Sequence, residues 1–225
     1  MIKTVFFKTM KFEEIYDQVG KYALMSRFKA RTLYRFIMTQ KPMHVLEMGC
    51  HQGGSALIMA AALEELGQGH ITTFDFPDIA KLKPNAESLL LKTHLAAYVD
   101  LVYCDWCCEW ELAKLMEANV KHSTYRPYVD FVYLDGGHYW TATGFAFYLA
   151  TNLLKPGGWV LLDDLDWVIA SDEIDNRTYK KRISREAQKR PMVQMIFDLI
   201  VKTHPAYENF HLSANRTWGW AQKRR

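Results

Sequence analysis

The sequence has no long apolar run, little cysteine and almost no excess of charge of one sign, and each absence excludes a class of protein. No segment approaches the roughly 20 apolar residues that span a bilayer, and the N-terminal segment does not resemble a signal peptide. The four cysteines, three of them at Cys104, Cys107 and Cys108, do not form a secreted disulfide framework. A net charge of +3 is too small to predict a nucleic-acid partner. We therefore expect a cytoplasmic protein that binds neither membranes nor nucleic acids.

The sequence does contain an alternation of strand and helix patterns over 225 residues, of which 49% are apolar. This is enough apolar material for the core of one domain. Residues 11–40 have the apolar spacing of helices, and five short apolar runs then alternate with helix-length segments. The predicted strands are Val45–Met48, Ile71–Phe74, Val99–Tyr103, Val129–Leu134 and Trp159–Leu162, followed by a hairpin of Phe210–Ala214 and Thr217–Ala221. The predicted helices are Ser55–Leu66, Asn85–Ala97, Glu109–Ala118 and one that runs from Pro191 to Lys202.

This order of elements predicts an α/β fold with a doubly wound, mostly parallel sheet of seven strands. We expect residues 1–40 to form an N-terminal helical cap and residues 41–225 to form the main domain. Residues 165–190 are polar and charged without a clear period. We interpret them as a lid or a substrate-contacting insertion.

The first predicted strand leads into a glycine loop with the sequence EMGCHQGGS at positions 47–55. Such a strand–loop–helix junction lets the backbone approach a ligand and directs helix N–H groups at it. The dinucleotide fingerprint requires a glycine where His51 stands, so a dinucleotide is disfavoured. The acid Glu47 inside the strand favours a ligand that carries cationic groups.

At this point residues 43–165 resemble the class I S-adenosylmethionine-dependent methyltransferases. The resemblance implies their Rossmann-like fold and S-adenosylmethionine as the cofactor. The segment HVLEMGCHQGGS is similar to the first motif of that family. By that likeness the methionine part of the cofactor is surrounded by Glu47, Gly49, Gly53 and Ser55, with His51 near its carboxylate.

Two further acids fit the same resemblance. Asp75, followed by Phe76, ends the second strand about 20 residues beyond the loop, where an acid can bind both ribose hydroxyls. Asp105 and Trp106 follow the third strand and look like the family's adenine-contacting motif. The alternative for Asp105 is an N-cap of the next helix.

Carboxylates also end the two strands between Val129 and Trp167. Asp135 follows the first, and Asp163 and Asp164 follow the second. Parallel strands joined by a helix end at the same edge of a sheet, about 4.8 Å apart, so these acids can share one hard cation such as Mg²⁺.

The segments DGGHYW and LLKPGGWVLLDD resemble metal-dependent small-molecule O-methyltransferases, including catechol-type enzymes and antibiotic sugar methyltransferases. The resemblance implies that Asp135, Asp163 and Asp164 bind Mg²⁺. A histidine can take a hydroxyl proton near neutral pH, so His138, or Asp135 itself, is the candidate base. Alternatively, Asp163 and Asp164 cap the following loop, Asp135 contacts only the cofactor, and His138 packs at the start of a helix.

The predicted function is methyl transfer from S-adenosylmethionine to a small molecule, at a hydroxyl oxygen activated by a divalent metal. Three alternatives remain: a metal-independent methyltransferase, a nicotinamide-dependent oxidoreductase and a non-catalytic protein of the same fold. N-terminal helices in such methyltransferases often pack between subunits, which implies a homodimer.

Overall fold

A computed structural model describes residues 11–171 and 177–225, which form two compact units, Met1–Cys104 and Asp105–Arg225. The first ten residues of the predicted cap and residues 172–176 of the predicted lid lie outside this description. Within the described residues, no helix has the length and apolar character needed to cross a membrane.

The N-terminal part of the first unit is helical, as expected, but it contains two helices. Helix α1 spans Phe12–Val19, a 3₁₀ turn follows at Gly20–Tyr22, and α2 spans Arg27–Gln40. The Ser26 hydroxyl accepts a hydrogen bond from the backbone N–H of Lys29, which caps α2 at its start. Both helices bury an apolar face, and α2 packs against the next helix in the chain.

Three parallel strands form the sheet of the first unit, in the order β3-β2-β1. The strands are β1 (His44–Met48), β2 (His70–Asp75) and β3 (Val99–Tyr103), with helices α3 (Gly54–Leu66) and α4 (Ala86–Thr93) between them. The first ten residues of α3 are all buried, because alanine, leucine, isoleucine and methionine occupy nearly every position. All three strands run in one direction, so the glycine loop after β1 and Asp75 lie at the same edge of this sheet.

Gly54, at the start of α3, allows a close approach of two backbones. A Cβ atom at this position would lie 2.0 Å from the Cα atom of Ala23. We expect Gly54→Ala to lower the free energy of unfolding by about 1–3 kcal/mol, because overpacking forces the backbone to move. Thermal unfolding followed by circular dichroism measures this effect.

Gly144 provides the matched control, since a Cβ atom there would lie at ordinary distances of 3.6 Å or more from the side chains of Ile200 and Ile196. Gly144→Ala in the middle of a helix should raise stability by about 0.5–1 kcal/mol. A Gly54→Ala variant as stable as the unmodified protein would show that Ala23 can move away at little cost.

The second unit begins with α5 (Cys108–Asn119) and a short hairpin of β4 (Val120–Lys121) and β5 (Thr124–Tyr125). The elements that follow are β6 (Val129–Leu134), α6 (Trp140–Leu153), β7 (Leu154–Leu162), α7 (Arg177–Arg182), α8 (Met192–Ile196), β8 (Tyr207–Ser213) and β9 (Trp218–Lys223). A π-helical turn, Phe197–Val201, continues α8. β6 and β7 are parallel, whereas β9 is antiparallel to β7 and to β8.

Strand β7 begins five residues earlier than predicted, because the segment Lys155-Pro156-Gly157-Gly158 belongs to the strand instead of separating it from the helix. The register with β6 shifts between Val129 and Phe131, which accommodates the extra residues as an irregularity. A Cβ atom on Gly158 would lie 2.9 Å from the backbone oxygen of Asp130, so glycine permits the close approach.

The strands β1–β3 and β6–β9 make a seven-stranded, mostly parallel sheet with flanking helices, and the predicted fold class is confirmed. The closing hairpin contributes the antiparallel strands β8 and β9. Its buried Trp218 and Trp220 pack against the β6 side chains Tyr133 and Phe131 respectively. These aromatic contacts support β6, the strand that Asp135 directly follows.

Candidate functional site

The glycine loop of the first unit is held in place by the carboxylate of Asp75. Oδ2 accepts hydrogen bonds from the backbone N–H groups of Cys50 (2.9 Å) and His51 (2.6 Å), and Oδ1 accepts one from Phe76 (2.7 Å). A carboxylate has about four lone-pair sites. These three bonds therefore leave about one site for a ligand hydroxyl. Asp75 therefore fixes the loop between β1 and α3, and its predicted ribose contact stays a prediction.

His51 lies in this loop in the left-handed backbone region, with φ of 48°. Gly49 and Gly53 on either side also have positive φ, which explains the two glycines. The Nδ1 atom of His51 is buried and has no hydrogen-bond partner among the described residues. The loop thus holds a polar atom that a ligand can satisfy.

Glu47 is a fully buried acid on β1. Its Oε2 accepts a 2.6 Å hydrogen bond from the hydroxyl of Thr73 on β2, whereas Oε1 has no partner of acceptable geometry among the described residues. Burial raises the pKa of Glu47 to about 7, and the nearby carboxylate of Asp75 adds to the effect. The hydroxyls of Ser55 and Thr73 partly offset it.

The first unit therefore brings the predicted residues Glu47, Gly49, His51, Gly53, Ser55, Asp75 and Phe76 together in and around one loop. Thr73 is not among the predicted residues, although its register opposite Glu47 in a parallel pair contained the signal. Tyr103, the last residue of β3, is also not among them. Its hydroxyl is buried, and burial and Glu87 raise the pKa of Tyr103 to about 12.

In the second unit Asp105 forms an ion pair with Lys114, at 2.7 Å between Oδ2 and Nζ. Helix α5 starts at Cys108 with Cys107 as its N-cap, so the alternative role of Asp105 as that cap is wrong. Trp106 is 76% exposed, and its ring lies 6.4 Å from the ring of Trp110. An exposed indole beside a carboxylate is available to a planar ring, and the adenine contact stays a prediction.

The acids after β6 and β7 come together in the second unit with a histidine. Asp135, His138 and Asp164 each offer one ligand atom, and these atoms all lie within 4.8 Å of one another. The Nε2 atom of His138 is 3.4 Å from Oδ2 of Asp164. The ring of Trp167 packs against His138 and Tyr139, with centroid distances of 5.3 and 5.7 Å.

Asp163 lies outside this group among the described residues, and the predicted metal-binding set of Asp135, Asp163 and Asp164 stays a prediction. Asp163 is buried, and its Oδ2 accepts a 2.6 Å hydrogen bond from the hydroxyl of Tyr133. Its Oδ1 accepts a 2.6 Å hydrogen bond from the backbone N–H of Asp164, whose φ is 52°. Through this bond to the Asp164 N–H, Asp163 fixes the backbone that presents Asp164.

The donor set fits a divalent cation. Two carboxylates are suitable ligands for Mg²⁺ or Mn²⁺, and an imidazole is a suitable ligand for transition metals. Like charges this close to each other repel, and a cation between them removes the repulsion.

A protein-family model described as a methyltransferase domain matches residues 46–165, which is more than half of the chain. The matched segment contains the glycine loop, Asp75 and the acids after β6 and β7. No curated protein sequence matches the chain significantly.

Several solved structures share the fold. A Staphylococcus aureus protein provisionally described as a caffeoyl-CoA O-methyltransferase has a TM-score of 0.67 and 17% identity, over 95% of this chain and 92% of its own. The O-methyltransferase TomG from Streptomyces achromogenes, in complex with S-adenosylmethionine, has a TM-score of 0.63 and 14% identity, over 99% and 93%. An O-methyltransferase from Bacillus cereus, in complex with S-adenosylhomocysteine, has a TM-score of 0.61 and 18% identity, over 97% and 92%. At these identities the likeness shows the fold.

Proposed function

We propose the following function on the premise that the chain belongs to the methyltransferase-domain family: it transfers a methyl group to a hydroxyl oxygen of a small molecule with the help of a divalent cation. Family membership confirms the prediction of an S-adenosylmethionine-dependent methyltransferase. What we propose beyond family membership is that the methyl acceptor is an oxygen and that a divalent cation takes part.

One observation carries the proposal: Asp135, His138 and Asp164 converge at the ends of two parallel strands. The residues of the first unit that are predicted to bind the cofactor do not need this cluster for that role. Similar folds occur in proteins described as O-methyltransferases, which supports oxygen as the acceptor.

In the proposed mechanism, Asp135 and Asp164 would hold the cation, which when bound supplies positive charge that lowers the pKa of the acceptor hydroxyl. His138 takes the hydroxyl proton on its imidazole. The oxygen then forms a bond to the methyl carbon as the carbon–sulfur bond breaks, and that electron pair stays on sulfur. Asp163 and Tyr133 keep Asp164 in position.

His138 has a second possible role, because its Nε2 atom is close enough to Asp164 to serve as a third metal ligand. A base must keep a free nitrogen for the proton, whereas a ligand uses that nitrogen for the metal. The two roles therefore predict different metal affinities for a His138 variant.

A transfer assay tests the proposed function. The protein is incubated with methyl-labelled S-adenosylmethionine and a panel of catechol-type, sugar and amine acceptors, with Mg²⁺ or Mn²⁺ and then with EDTA. We expect label in the acceptor only when metal is present. Equal transfer in EDTA would favour the metal-independent methyltransferase, and transfer only to amine acceptors would contradict oxygen as the acceptor.

Tyr133→Phe tests the supporting contact to Asp163. The substitution removes one hydroxyl from a fully buried side chain and leaves its ring in place. Loss of a hydrogen-bond partner of a metal ligand lowers metal affinity about 10- to 100-fold. Tyr133 acts one contact further out, through Asp163, so we expect a drop no larger than the lower end of that range in calorimetric metal titrations. Tyr207→Phe, which removes a different buried tyrosine hydroxyl that contacts Thr151, should leave metal affinity unchanged. Equal affinities for both variants would show that the Tyr133 contact does not position the site.

Three further predictions remain part of the proposal. Residues 1–40 form a cap, residues 165–190 form a lid or contact the acceptor, and the protein is a homodimer.

A further inference from the structure

The carboxyl group of Glu47 is buried without a balancing cation among the groups that act on it. Those groups are the hydroxyls of Thr73 and Ser55 and the carboxylate of Asp75. The carboxylate of Asp75 has the same negative charge as an ionised Glu47. The Cys50 thiol also interacts with Glu47 and Asp75. Burial is the main cause that raises the pKa of this thiol, so the thiol carries no charge near neutral pH. A buried charge in such a place is costly unless a cation arrives.

S-adenosylmethionine carries two positive groups, the sulfonium and the α-ammonium. Glu47 is the penultimate residue of β1, the strand that leads into the loop, and its Oε1 atom is buried and has no hydrogen-bond partner among the described residues. A cationic ligand on this loop can supply the charge that the site lacks, and a neutral carboxyl group would attract it much less.

We propose that Glu47 is protonated in the cofactor-free protein and releases its proton when S-adenosylmethionine binds, so that cofactor affinity rises with pH. The inference rests on the proposed function only in taking S-adenosylmethionine as the ligand.

The sign of the effect follows from the two states of Glu47. Burial raises the pKa of Glu47 to about 7 in the empty protein, and a bound cation favours the ionised form and lowers it again. The bound state therefore holds fewer protons, and affinity increases with pH through the pKa of the empty state. Below that pKa, affinity should fall about tenfold per pH unit, and toward pH 8 it should level off.

His51 is the histidine of this loop, and its imidazole is the other candidate source of a released proton. Its backbone N–H contacts Asp75, and its Nδ1 atom has no partner among the described residues. A variant of each residue distinguishes the two sources of a released proton.

Isothermal titration of S-adenosylmethionine into the full chain at pH 6, 7 and 8, at each pH in two buffers of different ionisation enthalpy, counts the protons released. We expect about half a proton at pH 7, about a tenth of a proton at pH 8, and a Kd at pH 6 about tenfold above that at pH 8. Glu47→Gln should abolish both the release and the pH dependence, while His51→Gln should keep the release.

Thr73→Val gives a second readout that keeps Glu47 in place. It removes the hydrogen bond that favours the ionised form, so the midpoint of the Kd curve should move to higher pH. This variant tests the inference even if Glu47→Gln does not fold.

A Kd that is constant from pH 6 to 8 with no proton release would overturn the inference and leave the proposed function intact. Release that persists in Glu47→Gln would also overturn it. Failure of the unmodified protein to bind S-adenosylmethionine at any pH would contradict both the inference and the proposed function.

Discussion

Replacing Asp135 and Asp164 together with asparagine should lower metal-dependent kcat/KM by about 10³-fold or more, since stabilisation by a bound cation contributes several kcal/mol. Both carboxylates reach the same small volume, and each supplies a negative oxygen that a neutral amide replaces poorly. Steady-state methyl transfer at saturating Mg²⁺ measures the loss, and calorimetric titration of the metal measures the affinity.

Asp166→Asn is the matched control, because Asp166 is an exposed acid two residues beyond Asp164. It should keep metal affinity and rate, whereas S-adenosylmethionine binding should survive in both variants. A double variant that retains the unmodified rate in EDTA would contradict the metal site and support metal-independent transfer.

His138→Gln should lower kcat by about 10²- to 10⁴-fold, the range typical of a lost general base. Glutamine keeps a polar side chain of similar reach but cannot take a proton. If His138 is the base, Mg²⁺ affinity should stay within a few-fold of the unmodified value, and the acidic limb of the rate profile should disappear. If it is a ligand, metal affinity should fall with the rate.

His122→Gln, in the exposed turn of the β4–β5 hairpin, is the control for loss of a histidine in the second unit. It should leave kcat and its pH profile unchanged. An active His138→Gln variant with an unaltered pH profile would exclude both roles and favour a packing contact with Trp167.

Much of the fold could be predicted because strands buried on both faces appear as short apolar runs with clear ends. Strands β3 and β6 begin and end where the sequence indicates. Helix α4 is shorter than predicted, since His94 adopts a left-handed C-cap conformation after Thr93. A left-handed C-cap is common at glycine and is not expected from a histidine in a helical pattern.

The candidate site was predictable only in part. The sequence shows that acids follow the strands β6 and β7. For this reason Asp135 and Asp164 could be predicted to lie close together. The different role of Asp163 depends on the Tyr133 hydroxyl on the neighbouring strand, and no local pattern reveals that contact. In the same way, the missing hydrogen bond to Oε1 of Glu47 depends on the positions of side chains from three elements.

Crystals of the protein with S-adenosylhomocysteine and Mn²⁺ provide the most direct test of the proposed metal site. An anomalous difference peak of Mn²⁺ should appear within coordination distance of Oδ atoms of both Asp135 and Asp164, and Asp163 should keep its hydrogen bond to Tyr133. The absence of such a peak at saturating Mn²⁺, together with full methyl transfer in EDTA, would contradict a metal-assisted reaction.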